Sequence, residues 1–188
     1  MYKPWFIILF AAIIFASCSS SKKSNKTNVL LGNTKIETAQ ANTPAKAQPV
    51  KRPIQTMDKP LDIDRNEFLS YAKQFLNVPY LYASDNPAKG FDCSGFLFHV
   101  FKYFNVKAPR SSYNYENVGK NVSRQKSKAG DLILFTASDT TKIGHIGIIT
   151  DTTPKISFIH ASTSKGVIIS PLSGYYEKHF VKIIRVLQ

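Results

Sequence analysis

The stretch that most limits what this chain can become is Gly90-Phe91-Asp92-Cys93-Ser94-Gly95-Phe96, which runs directly into Leu97-Phe98-His99-Val100-Phe101 and on to Phe104. Glycine takes the backbone angles of a turn and aspartate is a good N-cap, so the spacing predicts a helix over 93–104. Its dense aromatic content makes it the buried central helix of the fold. Cys93 falls in the first helical turn, where unpaired amide groups and the positive end of the dipole favour the thiolate; the expectation is an acidic, nucleophilic sulfur.

The elements around this helix follow in a simple order. Asp64-Arg65-Asn66-Glu67 reads as an N-cap with a glutamate three residues on, and Phe68, Tyr71, Ala72 and Phe75 recur at helical spacing, predicting a first helix over 65–76 that Asn77-Val78-Pro79-Tyr80 ends. After the cysteine helix, 108–113 reads as a loop and 113–119 as a short helix or turn. Short β-branched runs then dominate: Leu132-Ile133-Leu134-Phe135, Ile146-Gly147-Ile148-Ile149-Thr150, Ile156-Ser157-Phe158-Ile159-His160, Val167-Ile168-Ile169 and Val181-Lys182-Ile183-Ile184-Arg185-Val186. Divided by Gly, Pro, Asp and Ser clusters, they predict an antiparallel sheet. Helices first and strands afterwards make the class α+β, with the sheet packed on the cysteine helix.

The 188 residues, 43% of them hydrophobic, suit one compact domain plus non-globular sequence. Lys3 precedes an apolar run from Trp5 to Ala16 that is short for a permanent membrane helix and has the length and flanks of a signal-peptide core. Phe15-Ala16-Ser17-Cys18 resembles a bacterial lipobox, with Phe15 where Leu, Val or Ile is usual, so Cys18 is the expected lipidation site; an uncleaved signal anchor is the other reading. Either places the rest of the chain outside the cytoplasm, and Ser19 and Ser20 are compatible with delivery to the outer membrane. Residues 18–61 are rich in Ser, Lys, Asn, Thr, Ala and Gln, hold four prolines and no aromatic. Such a segment buries too little apolar surface to offset its ordering entropy, so it is expected to be a disordered tether with a span of about 35 Å. The expected organisation is a signal peptide over 1–17, a lipidated tether over 18–61 and a folded domain over 62–188.

With Cys18 lipidated, Cys93 is the one thiol left and has no partner for a disulfide. A buried cysteine acting as a small hydrophobe is the plain alternative, which the Asp92 cap and the helix-start position make less apt. A thiol nucleophile needs an imidazole to take its proton, and that imidazole needs an orienting partner. Of the four histidines, His99 lies about 240° around the helix from Cys93 and reads as structural, while His179 sits in a polar, patternless stretch and reads as solvent-exposed. His145 opens a strand after Gly144 and shares a strand face with Gly147, which leaves room for another chain or a substrate. His160 ends the next strand, where an antiparallel neighbour could stand beside His145, giving a possible Cys-His-His triad. A zinc site of Cys93, His145 and His160 lacks a fourth ligand. The net charge of +13 admits a nucleic acid, a membrane surface or an acidic polymer as partner, but the lysines form no stripe with interleaved aromatics and no basic recognition helix, which argues against nucleic acid.

Six segments in order complete the reading: Val78-Pro79-Tyr80; Gly90 to Phe96; Ala108-Pro109-Arg110-Ser111-Ser112; Ala129-Gly130-Asp131-Leu132-Ile133-Leu134-Phe135; Gly144-His145-Ile146-Gly147-Ile148; and Phe158-Ile159-His160-Ala161-Ser162. Together they resemble the NlpC-type cell-wall cysteine peptidases, compact papain-like enzymes. The resemblance implies Cys93 as nucleophile, His145 as base, His160 as third polar residue, Tyr80 near the sulfur and oxyanion region, and Asp92 and Ser94 shaping the substrate site. It further implies a peptidoglycan endopeptidase that cuts stem or cross-link peptides, of the D-glutamyl-diaminopimelate type, without metal or cofactor. The expected partners are those peptides, whose carboxylates Arg110 and the lysines would attract, and the membrane through the lipid; a monomer is expected. A wall-binding scaffold and a thiol amidase or acyltransferase are the alternatives. One departure stands out: Tyr82-Ala83-Ser84 replaces the usual Trp-Gly-Gly, which bears on substrate fit rather than on the chemistry.

Overall fold

A computed structural model describes residues 52–138 and 140–188. The signal-peptide run, Cys18 and the tether through residue 51 lie outside the described residues. In chain order the elements are β1 (Gln55–Thr56), α1 (Arg65–Lys73), β2 (Asp85–Asn86), β3 (Gly90–Phe91), α2 (Cys93–Tyr103), β4 (Val106–Lys107), β5 (Lys120–Val122), β6 (Leu132–Thr136), β7 (Ile143–Asp151), β8 (Ser157–Ser162), β9 (Gly166–Pro171), α3 (Tyr175–His179) and β10 (Phe180–Arg185). The six-stranded sheet has the order β5-β10-β6-β7-β8-β9 with antiparallel neighbours throughout. This is the expected α+β, papain-like arrangement, in which a cysteine-bearing helix packs against an antiparallel sheet.

Alternation along the strands explains why both faces of the sheet are covered. Leu132, Leu134, Ile146, Ile148, Ile159 and Ile184 point to the face that joins Phe96, Leu97, Val100, Phe101 and Phe104 of α2 with Phe68 of α1 in the main core. Ile133, Phe135, Ile149, Phe158 and Ile183 point the other way and form a second, smaller core capped by Leu172 and Tyr176. The sequence pattern announced the first face and gave no sign of the second cover, because α3 has five residues and no apolar period.

Helix α2 begins where expected. Asp92 has extended backbone angles, φ −83° and ψ 172°, and its side chain accepts the Gly95 N–H at 2.7 Å. Helix α1 has its cap too, with Asp64 Oδ1 accepting from Glu67 N at 2.8 Å, but it ends at Lys73 rather than near Leu76. Its last turn tightens to i→i−3 bonds from Gln74, Phe75 and Leu76, and Asn77 at φ 70° turns the chain away, a conformation asparagine tolerates better than most. Asn77 and Val78 then exchange backbone hydrogen bonds with Val167 at 2.9 and 2.8 Å, tying the loop before the cysteine helix to β9.

The folded unit begins earlier than the boundary near Asp62 that composition suggested. β1 pairs in parallel with β4. Leu61, wholly buried, donates its N–H to Val186 O at 2.8 Å and accepts from Gln188 N at 3.2 Å. A leucine between Pro60 and Asp62, with Ile63 as its one apolar neighbour nearby, is too short a pattern to signal this clasp between the two ends of the domain.

One buried charge binds several elements. Asp131, fully buried, accepts from Arg65 Nη1 at 3.1 Å, Arg185 Nε at 2.9 Å, Arg185 Nη2 at 2.7 Å and the Lys128 N–H at 2.9 Å. Its own backbone carbonyl accepts from Ile149 N at 2.8 Å. The start of β6 is thereby fastened to α1, β10 and β7.

Candidate active site

The site is assembled at the head of α2. The segment 79–81 lies alongside β3, with Phe91 N donating to Pro79 O and Leu81 N to Phe91 O, both at 3.0 Å. This sets half-buried Tyr80 beside the residues that precede Cys93. Tyr80, Tyr82, Ala83, Cys93, Arg110 and Ser112 line an open cleft of about 450 Å³, together with Asp92, Ser94, Ser111 and Gly144. Burial, the Cys93 sulfur and Asp92 all push the Tyr80 phenol up, so it is a neutral hydroxyl available to donate to a developing negative charge.

Arg110 makes a two-pronged ion pair with Asp92: Nη1 donates to Oδ1 at 3.0 Å and Nη2 to Oδ2 at 2.7 Å. Ser94 Oγ donates to Asp92 Oδ1 at 2.9 Å and accepts from Arg110 Nη1 at 3.2 Å. Burial works against the Asp92 carboxylate, but the Arg110 hydrogen bonds, the Gly95 N–H and Ser94 prevail and hold it below the ordinary range. Asp92 and Ser94 therefore border the cleft with their polar atoms committed to each other and to Arg110. The partly exposed guanidinium is the group of this trio best able to meet a ligand. The resemblance pointed to Arg110, with the lysines, as an attractor of the substrate's carboxylates; its pairing with Asp92 did not show in the sequence.

Cys93 is 8% exposed, and its Sγ lies 3.8 Å from the Gly144 carbonyl, with the Ile146 N–H also directed to it. The sulfur thus sits against the backbone on either side of His145. Among the described residues the thiol's acceptor is that carbonyl rather than the imidazole. The expected acidic thiol is not found. Burial, the largest cause, and the Asp92 charge push Cys93 up to about 11, and the opposing backbone N–H groups of Ser94, Ile146 and Cys93 itself do not offset them. The same aspartate that caps the helix, and so fixes where Cys93 stands, adds its charge to the burial that works against the thiolate.

His145 and His160 meet as their strands predicted. His145 Nε2 is 2.9 Å from His160 Nδ1, and His160 Nε2 is 3.0 Å from Ser170 Oγ on β9. For His145 to accept a proton at Nδ1, its Nε2–H donates to His160 Nδ1, and the His160 Nε2–H donates to Ser170. Ser170 was not a sequence candidate, since it enters only through the β8–β9 register of Phe158 with Ser170. Burial lowers both rings, His145 to about 4 and His160, which also feels His145, to about 3. Gly147 is the residue that lets the strands close: a Cβ there would stand 2.7 Å from Phe158 Cδ2 and 2.9 Å from Ile159 O. The room it leaves is filled by β8.

The other two histidines are placed differently. His99 is half-buried away from the sulfur, packed edge-on to Phe75 at 4.9 Å and beside Phe91 at 5.3 Å, as its structural reading required. His179 is not freely solvated: it stacks on Tyr175 at 4.1 Å, with Nδ1 2.8 Å from Tyr175 O, because α3 gives a single helical turn to a stretch that looked patternless. Among the described residues no three His, Cys, Asp or Glu side chains converge as a metal-binding group.

The Tyr82-Ala83-Ser84 departure has a structural cost. Ala83 has φ 57°, the left-handed region that glycine adopts without strain. Ser84 turns its hydroxyl inward to Gly90 O at 2.7 Å, leaving Tyr82, 83% exposed, at the mouth of the cleft. Ala83→Gly is expected to stabilise the domain by about 0.5–1 kcal/mol, the relief of left-handed strain less glycine's greater unfolded-state entropy. A urea midpoint that fails to rise in this variant would show that the loop carries no such strain.

Residues 77–185 match the NlpC/P60 family model. The chain is 44% identical over 101 residues to the murein DD-endopeptidase MepS/murein LD-carboxypeptidase of Escherichia coli strain K12, covering 53% of this chain and 51% of that one. It is 37% identical over 115 residues to the gamma-DL-glutamyl hydrolase of Bacillus subtilis, covering 61% of this chain and 27% of that one. It thus spans about half or less of the length of these curated relatives. The crystal structure of an NlpC/P60 family protein from Bacillus cereus superposes with a TM-score of 0.61 at 27% identity, over 68% of this chain and 42% of that one. The matched span takes in the cysteine at the helix head, the arginine fork, both histidines and the strands that carry them, and on that extent the chain belongs to the NlpC/P60 family.

Proposed function

We propose that this domain is a thiol endopeptidase of peptidoglycan, hydrolysing amide bonds in stem or cross-link peptides with Cys93 as nucleophile, His145 as base and His160 as the residue that orients it. The observation that carries the reading is the His145–His160–Ser170 chain of hydrogen bonds alongside a sulfur held at the start of α2. In the first step Cys93 Sγ forms a C–S bond to the amide carbonyl while its proton passes to His145 Nδ1. The Cys93 backbone N–H and the Tyr80 hydroxyl receive the oxyanion. His145 returns the proton to the departing nitrogen as the C–N bond breaks, leaving a thioester and a free amine. Water then gives a proton to His145 and adds its oxygen to the carbonyl, and the C–S bond breaks as the proton goes back to sulfur.

Arg110 suits this substrate class, since stem peptides carry free carboxylates and its guanidinium borders the cleft. The relatives are named a murein DD-endopeptidase/LD-carboxypeptidase and a gamma-DL-glutamyl hydrolase, and the sequence resemblance favours the D-glutamyl linkage to diaminopimelate. Incubation with purified muropeptides and mass spectrometry of the products tests the proposal and reports which bond is cut. Cleavage that vanishes in Cys93→Ala is the expected result. Retention of peptidoglycan without turnover, unchanged by that substitution, would favour the wall-binding scaffold instead.

A further inference from the structure

Gly144 belongs to two cavities. One is the 450 Å³ cleft that holds Cys93 and the residues of the helix start. The other, about 230 Å³, shares Gly144 with it and is lined by His145, Thr136, Ser162, Thr163, Tyr175 and Tyr176 with neighbouring residues of β6 and the turn after it. The sulfur borders the first and the imidazole the second. A Cβ on Gly144 would stand 2.4 Å from Ala137 Cβ and 2.8 Å from Ala137 Cα, so a side chain at this position would force β7 away from Ala137.

We propose that the second cavity is the leaving-group subsite, which receives the amine-side residue of the peptide cut at Cys93. The inference rests on the thiol-peptidase reading and follows from where protons must go. The acyl group bonds to sulfur and so must occupy the cleft that holds Cys93. The departing nitrogen takes its proton from His145 and so must leave past the imidazole. A scissile amide laid across Gly144 satisfies both.

The chemistry of the lining selects the occupant. No charged side chain among the described residues borders the cavity, while Thr136, Ser162, Thr163 and Tyr175 bring hydroxyls to it. Ser138 Oγ and the Tyr175 hydroxyl, both from residues of the lining, are 3.1 Å apart. Its volume is under the roughly 300 Å³ at which pockets for drug-sized ligands begin, so it takes a single amino-acid residue. Hydroxyls can hydrogen-bond a carboxylate or an amide without a counter-charge. The occupant is therefore a small polar residue with its carboxyl or amide end read by neutral donors, rather than a large aromatic one.

Thr163 is exposed in the β8–β9 turn, so Thr163→Trp fills the cavity without entering the core. The test compares two substrates with the same acyl part: one released from a peptide amide, the other from a methyl ester whose methanol needs no subsite. For folded Thr163→Trp, checked by circular dichroism and thermal melting, the ratio of amide to ester kcat/KM is expected to fall at least ten-fold. Tyr175→Ala, which opens the cavity, is expected to raise KM for the amide more than for the ester. An equal change for both substrates, or none, overturns the subsite while leaving the peptidase reading intact. A wild-type protein that turns over neither substrate overturns both.

Discussion

Replacing Asp131 with alanine is expected to destabilise the domain by about 3–5 kcal/mol, the usual cost of removing one partner from a buried ion pair. The carboxylate is wholly buried and receives three hydrogen bonds from two arginines and one from a backbone amide. Its loss strands the Lys128 N–H and leaves two guanidinium groups crowded without their anion. Arg65 keeps bonds to the carbonyls of Ala129, Leu187 and Gln188, and the Arg65 and Arg185 side chains are 20% and 27% exposed. Water can therefore reach both, which places the expectation toward the lower end of that range. Against a total stability of about 5–15 kcal/mol this is still a large share. Asp131→Asn, which retains one acceptor and the shape, should fall between wild type and alanine. Urea unfolding followed by circular dichroism gives the comparison. An alanine variant within about 1 kcal/mol of wild type would mean that packing of β6, and not this charge, joins α1 to the sheet.

The elements legible from the chain are those whose signals are local. Asp92 fixed the first residue of α2 because capping is a contact between neighbours three apart. The strand runs from Leu132 to Arg185 were readable because β-branched residues are concentrated in them and Gly, Pro, Asp and Ser clusters divide them. His145 and His160 could be paired because antiparallel succession brings adjacent strands together. What stayed hidden depends on distance in the fold. β1 and β4 are two residues each and exist only because they pair. Ser170 reaches His160 through strand register, and Arg110 finds Asp92 across a loop. The acidity expected of Cys93 fails for the same reason: the helix start is a local signal, whereas the burial that, with the Asp92 charge, outweighs it depends on the packed fold.

That reversal leads to the second large effect. With the thiol pushed up to about 11 and His145 down to about 4, the resting pair is neutral thiol and neutral imidazole, not thiolate and imidazolium. On the proposed thiol mechanism His145 takes the proton during the attack, as the C–S bond forms, and His145→Ala is expected to lower kcat by about 10²–10⁴-fold with little change in KM. The signs for pH follow. An imidazole whose titration is lowered is a free base at neutral pH, so kcat/KM should hold from neutrality down toward pH 4 and be lost as pH falls through about 4. A thiol whose titration is raised becomes a free nucleophile only in alkali, so alkylation of Cys93 by iodoacetamide should be half-maximal near pH 11, whereas an ordinary cysteine is half-maximal at about pH 8.5 and levels off about 1–1.5 units above that. Because alkylation of the neutral pair owes little to the imidazole, His145→Ala should leave that profile nearly unmoved while removing turnover. A preformed ion pair would give the opposite signature, alkylation already fast and level in weakly acidic solution and abolished there by His145→Ala, and that outcome would restore the acidic thiol that the helix start alone suggested.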